Sequence, residues 1–257
     1  MNVQFSSDQI SVFLLVLARV GGLVSSAPIV GDAQVPKLVK VGLVIVLTIV
    51  LVQVPSIQHM QAPTGLYPFT LSVLAQLFVG LALGFVARIL FLVMSTAGGI
   101  ISLQIGLSMS MVLNPMTESA DSVMTQFYTI TAGLTFLAMN GELWLVAALS
   151  RSFDLAPLTP SSFSPVLVQT VVSDLLVVAQ ASIQIAMPVA ATLFASDLIL
   201  GVASRALPQL NVFILSMPLN IMLGLMAMIG SLAGTILIVG HLTDQVPNVM
   251  LDLVSHT

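Results

Sequence analysis

From Ile10 onward the chain is a succession of apolar stretches that polar residues barely interrupt, and nothing else constrains its fold as strongly. The first runs from Ile10 to Val30 and contains Arg19 and the Gly21-Gly22 pair. The loop Gly31 to Lys37 leads into Leu38 to Val54, which Pro55 ends. A polar loop with His59, Pro63 and Gly65 precedes a stretch from about Phe69 to Ser95, with Arg88 inside it. Gly98 to Leu113 follows, rich in Gly, Ser and Met, and then Ser122 to Leu149. Residues 151–165 hold Pro157, Pro160 and Pro165 and read as a linker. Val166 to Ala203 is too long for one straight span and has Pro188 in its middle. Val212 to Val239 has Pro218 in its first turns. A bilayer span takes about 20 apolar residues, so about six or seven spans with short loops use up the chain. The expectation is one membrane domain over 1–257.

These stretches read as helix. Leu, Ala and Met dominate, and the long period-2 alternation of barrel strands is missing. In lipid, helices and closed barrels are the two ways to satisfy the backbone. The fold class is therefore all-α, and the chain is either integral to the membrane or a subunit whose surface is mostly covered by partners. Six Lys+Arg and ten Asp+Glu make up only 6% of the chain, against about a quarter in a soluble domain. That excludes a soluble globule and a disordered chain. A net charge of −4 excludes a nucleic-acid binder, which needs a basic stripe. With no Cys there is neither a disulfide framework nor a thiolate metal site. No cleavable signal peptide is expected, since Asp8 stands where a basic segment would be.

The few charges are oddly placed. Lys37, Lys40, Arg151 and Arg205 lie in or near loops, whereas Arg19 and Arg88 sit inside apolar stretches. An Arg at mid-bilayer costs about 2.5–3.5 kcal/mol on insertion scales. Either it snorkels to the interface, or it faces protein or a water path. Asp174 and Asp197 pose the same question. Gly80 with Gly84, and Gly230 with Gly234, form G-x-x-x-G pairs that permit close helix contacts. Pro188, Pro208 and Pro218 kink or end helices. They read either as plain kinks and a loop or as helices bent into hairpins. Between Gly98 and Met116, Gly106, Ser108 and Ser110 suit a helix poorly, Asn114-Pro115 signals a turn, and Met109, Met111 and Met116 cluster. Such flexible thioethers suit a surface that repacks against varied partners. They suit a helix end packed in a core as well. His59, His241 and His256 lack partners at metal-ligand spacing, there is no phosphate-binding Gly-x-x-x-x-Gly-Lys, and Gly106-Leu107-Ser108 has only the distant His241 as a conceivable base. No catalytic, cofactor or metal site is expected, and the chain is not read as an enzyme.

Several motifs resemble one family. Ser204-Arg205-Ala206-Leu207-Pro208-Gln209-Leu210-Asn211-Val212-Phe213, continuing through Met217-Pro218-Leu219-Asn220-Ile221, looks like the signature of the FliR family, flagellar export-gate proteins whose injectisome counterpart is SctT. Gln104-Ile105-Gly106-Leu107-Ser108 with Asn114-Pro115 resembles the family's central motif, Asn140-Gly141-Glu142-Leu143-Trp144-Leu145 its Asn-Gly-x-x-Trp segment, and Ala27-Pro28 with Val35-Pro36 its N-terminal loop. The resemblance implies helical hairpins, kinked at Pro, in a helical export-gate ring. One copy of this chain would join FliP and FliQ, with FlhB and FlhA nearby, in the bacterial inner membrane at the flagellar basal body. Unfolded flagellar proteins would cross the ring. Gly106, Leu107, Ser108, Met109, Ser110, Met111, Val112, Leu113, Asn114 and Pro115 would contribute its plug. The family's plug often carries bulky aromatics, which this chain replaces with Met, Val and Leu. Arg19, Arg88, Asp197 and Arg205 would be buried charges, the last two paired with neighbours in the ring. Energy would come from partners. The alternative is a secondary transporter or channel for a small solute, which broken helices and intramembrane charge also mark. It predicts matched interruptions in both halves, and Pro188 and Pro218 have no counterparts in the first half.

Overall fold

The computed structural model describes residues 7–58, 60–107, 122–156, 158, 166–206 and 212–255, and among them it holds helices joined by turns and no strand. In chain order they are α1 (Ser7–Ser26), α2 (Lys37–Leu51), α3 (Pro55–Gln58), α4 (Leu66–Ile105), α5 (Val123–Ala138), α6 (Gly141–Leu155), α7 (Val166–Ala206) and α8 (Val212–Ser255). The all-α membrane-type fold expected from the apolar stretches is the one observed. Among the described residues, four helices contain spans long and apolar enough to cross a bilayer: α1, α4, α7 and α8.

Four boundaries differ from the sequence reading. The stretch Phe69–Ser95 and the start of Gly98–Leu113, as far as Ile105, share one helix, the 40-residue α4. Gly98-Gly99 does not break it, because Gly98 serves close packing: a Cβ there would lie 2.7 Å from Thr125 Cα on α5. Conversely, Ser122–Leu149 is two helices. Met139 closes α5, and Asn140 takes a left-handed conformation (φ 55°) before α6, one that Asn tolerates better than most residues. Arg151 to Leu155, expected in the linker, are the last turn of α6. Helix α8 continues past Val239 to Ser255. Pro188 and Pro218 lie within α7 and α8.

The chain divides into two compact units. The first comprises residues 1–89, 140–174 and 243–257, and the second residues 90–139 and 175–242. In the first, the buried face of α1 follows helical spacing through Val12, Leu15, Val16, Val20, Leu23 and Val24. Ile57 of α3, Leu83 and Val86 of α4, and Leu149 and Phe153 of α6 are buried there too. In the second unit Met124, Tyr128, Ala132 and Phe136 form a four-residue repeat on α5 and are buried, as are Val93, Ala97 and Ile101 on α4 and Ile185, Val189 and Leu193 on α7.

Candidate functional site

Within the first unit, the buried stripe of α1 contains a charge. Arg19 has no exposed surface. Its Nε donates to Gln76 Oε1 of α4 at 2.6 Å. One terminal nitrogen donates to Ser152 Oγ of α6 at 3.0 Å, and the other to the Ala156 carbonyl at 2.7 Å. The guanidinium carbon lies 4.1 Å from the centre of the Phe153 ring. The acceptors are neutral, so hydrogen bonds and the ring face supply the stabilisation. Ala156 is the C-cap of α6, where the helix macrodipole is negative and a cation is favoured. Arg19 thereby fastens α1 to α4 and to the end of α6, where a bilayer-facing Arg would snorkel.

The same face of α1 carries a close crossing. A Cβ on Gly80 would fall on the Arg19 carbonyl, and one on Gly84 would lie 2.7 Å from the Leu23 carbonyl. Gly22 answers from α1, where a Cβ would meet the Leu77 carbonyl and Leu81 N. Ser26 Oγ lies 3.0 Å from the Leu81 carbonyl, a hydrogen bond across the crossing. Gly22 was visible in the Gly21-Gly22 pair but had no assigned partner; its spacing from Arg19 places it beside Gly80. Nearby, Arg88 pairs with Asp32 at 2.9 Å, both about half exposed. Arg88 is thus no buried charge within this chain: it lies on α4's outer face and reaches the loop after α1. Lys40 Nζ donates to the Gly31 and Asp32 carbonyls, 2.8 Å each, and braces that loop.

In the second unit α4 ends at a defined stop. Gly106 has φ 89°. Its N–H bonds the Leu103 carbonyl (3.2 Å), and Leu107 N–H bonds the Ser102 carbonyl (3.1 Å). This pair of bonds is the Schellman termination, which needs a residue at positive φ and so favours Gly. Of the expected plug residues, Gly106 and Leu107 are therefore the exit from α4. Ser108, Met109, Ser110, Met111, Val112, Leu113, Asn114 and Pro115 lie outside the described residues, as do Leu207 to Asn211 of the C-terminal motif and Pro157 and Pro160 to Pro165 of the linker. Ser122 caps the next helix, its Oγ accepting from Thr125 N at 3.1 Å.

Asp197 and Arg205, expected to be buried, are exposed on this chain. Both lie on the outer face of α7. Asn220 Nδ2 of α8 donates to Asp197 Oδ1 at 3.0 Å, and Ser196 Oγ lies 3.2 Å from Asn220 Oδ1. Asn220 stands in the motif quoted from the sequence, but a link to Asp197 across 23 residues has no local signature. Arg205 sits in the last turn of α7, the end that suits a cation. Among the described residues, Gly230 and Gly234 make no close contact with another helix, since a Cβ on either would have open space around it. They line a cavity of about 400 Å³ with Gln184, Pro188 and Thr192 of α7 and Ser231 and Thr235 of α8. Among the described residues, no three His, Cys, Asp or Glu side chains converge on a metal-sized site.

The arrangement is one of helix ends, close crossings and outward apolar faces. The family model for "Bacterial export proteins, family 1" matches residues 10–246. The chain belongs to the FliR family of bacterial export proteins. It is 30% identical to the flagellar biosynthetic protein FliR of Escherichia coli K12, over 98% of both chains. It is 28% identical to the FliR of Caulobacter vibrioides, over 91% of this chain and 93% of that one. The FliR of Bacillus subtilis is 27% identical over 83% of each chain. A FliR-family chain with apolar membrane-capable helices is a component of flagellar biogenesis and protein transport in a membrane.

Proposed function

We propose that this chain is one subunit of the flagellar type III export gate, assembled in a single copy with FliP and FliQ around a channel for unfolded flagellar proteins. FlhA and FlhB are its further neighbours, the bacterial inner membrane at the basal body is its place, and the chain conducts substrate without catalysing a reaction. The similarity to FliR proteins over nearly the whole chain carries this reading. Its helices give it physical support. At 1.5 Å per residue the 40-residue α4, the 41-residue α7 and the 44-residue α8 each exceed the bilayer's hydrocarbon thickness of about 30 Å roughly twofold. Large apolar side chains stay exposed on α4 and α8: Leu66 is 82% and Leu103 70% exposed on α4, and Ile214 69% and Leu237 68% on α8. Neighbouring protein is the natural cover for such surface outside the lipid. Asp197, held by Asn220, and Arg205 then meet partner side chains, and Gly230 and Gly234 receive a neighbouring helix.

The gate itself is the segment from Gly106 to Pro115. The Schellman stop at Gly106 ends α4 at one position, so the Met-rich segment starts from a fixed point. Met109, Met111, Val112 and Leu113 supply an apolar closure that excludes water and ions. Their flexible or aliphatic side chains can part around a passing chain of changing sequence, whereas polar hydrogen-bonding groups would select among sequences. Replacing Met109 to Leu113 with Gly and Ser tests this. Ion leakage across the membrane of cells expressing the complete gate should rise; unchanged conductance together with unchanged export contradicts the assignment.

A further inference from the structure

Where α1 and α2 pack, in the first unit, they leave an apolar groove of about 400 Å³. Leu17, Gly21 and Val24 line it from α1, and Val41, Val44 and Ile45 from α2. Gly21 keeps it open: a Cβ there would have only Val44 Cγ1 nearby, at 4.0 Å. Ser25 borders the groove, but its hydroxyl is engaged with the Gly22 carbonyl at 2.8 Å, so the walls present little polarity. The cationic end is Lys40, whose ammonium, already bonded to two loop carbonyls, has a third N–H for another acceptor.

The sequence of α2 repeats this division. Positions 37, 40, 41, 44 and 45 fall on one helical face. Along it the chain reads Lys, Lys, Val, Val, Ile: a cationic turn followed by an apolar run. Both lysines are in the helix's first turn, at the positive end of the macrodipole, where they gain nothing from their own helix. Lys37 is exposed. A phospholipid has the complementary division, an anionic phosphate joined to an acyl chain, and juxtamembrane lysines attract anionic lipid. We infer that the α1–α2 groove binds an anionic phospholipid of the surrounding bilayer, with an acyl chain along Gly21, Val41, Val44 and Ile45 and its phosphate at Lys37 and Lys40. A neighbouring protein helix fits the apolar run but leaves the lysine pair unanswered.

The test uses the full chain in its purified export complex, reconstituted into vesicles containing a trace of phosphatidylglycerol or phosphatidylcholine with a photoreactive group in the acyl chain. Labelled peptides are mapped by mass spectrometry. The expected result is labelling of α1 and α2 around Gly21 and Val44 by the phosphatidylglycerol probe well above that by phosphatidylcholine. Lys37→Gln should lower that labelling about fivefold, the effect of one lysine at an anionic surface. Gly21→Leu should block labelling by filling the groove; because it also strains the α1–α2 contact, Lys37→Gln keeps the test decisive if that variant fails to assemble. Equal labelling by both lipids, labelling indifferent to Lys37→Gln, or no labelling because a partner subunit fills the groove would each overturn the site.

Discussion

Arg19 shows what one residue can decide in a chain with six basic side chains. Its three bonds reach two other elements, and its removal takes a donor away from buried Gln76 and Ser152. Hydrogen bonds to a charged group are worth about 1.5–3 kcal/mol each, so Arg19→Ala should cost at least about 3 kcal/mol, read as a lowered melting temperature of the purified complex. Arg19→Lys should recover only part of it, because an ammonium lacks the planar fork that serves three acceptors and stacks on Phe153. Gly106 is a second single-residue control point. Gly106→Ala places a side chain at positive φ and should cost about 1–2 kcal/mol locally, with altered leakage or export while total helix content, followed by circular dichroism, stays constant. The position of Arg19 inside an apolar stretch was evident in the sequence, but its partners were not: they lie 57, 133 and 137 residues away and carry ordinary residue types. Gly106 was legible as a poor helix residue, because that trait belongs to the residue itself.

At the scale of the element, the two glycine pairs look alike in sequence and differ in surroundings. Gly80 and Gly84 touch the α1 backbone, whereas Gly230 and Gly234 face open space. Gly80→Leu should therefore destabilise the chain by about 1–3 kcal/mol or more, as overpacking does when the neighbour cannot move, and should lower the yield of folded protein. Gly230→Leu should leave the chain's own packing intact and weaken co-purification with its partners; comparing yield with partner recovery for the two variants separates the effects. Helix identity was readable from the apolar stretches, since length and hydropathy suffice. Helix boundaries were less so. Gly98-Gly99 resembles a stop and is a contact with α5, while Asn140 breaks Ser122–Leu149 inside an apolar run. Tertiary packing and left-handed backbone decide those points, and hydropathy reports neither.

Across the whole molecule, the scarcity of charge has a structural counterpart. The described helices keep large apolar side chains exposed along lengths that lipid alone does not cover. The proposed gate predicts that neighbouring subunits cover much of this surface. Its sharpest test is native mass spectrometry of the affinity-tagged chain, extracted in mild detergent from cells making FliP and FliQ. The predicted mass is that of a stable assembly holding one copy of this chain with several copies of each partner, surviving dilution and moderate salt. Recovery of the chain as a well-behaved monomer, with no partner retained and its helices fully stable, would contradict cover by neighbouring subunits.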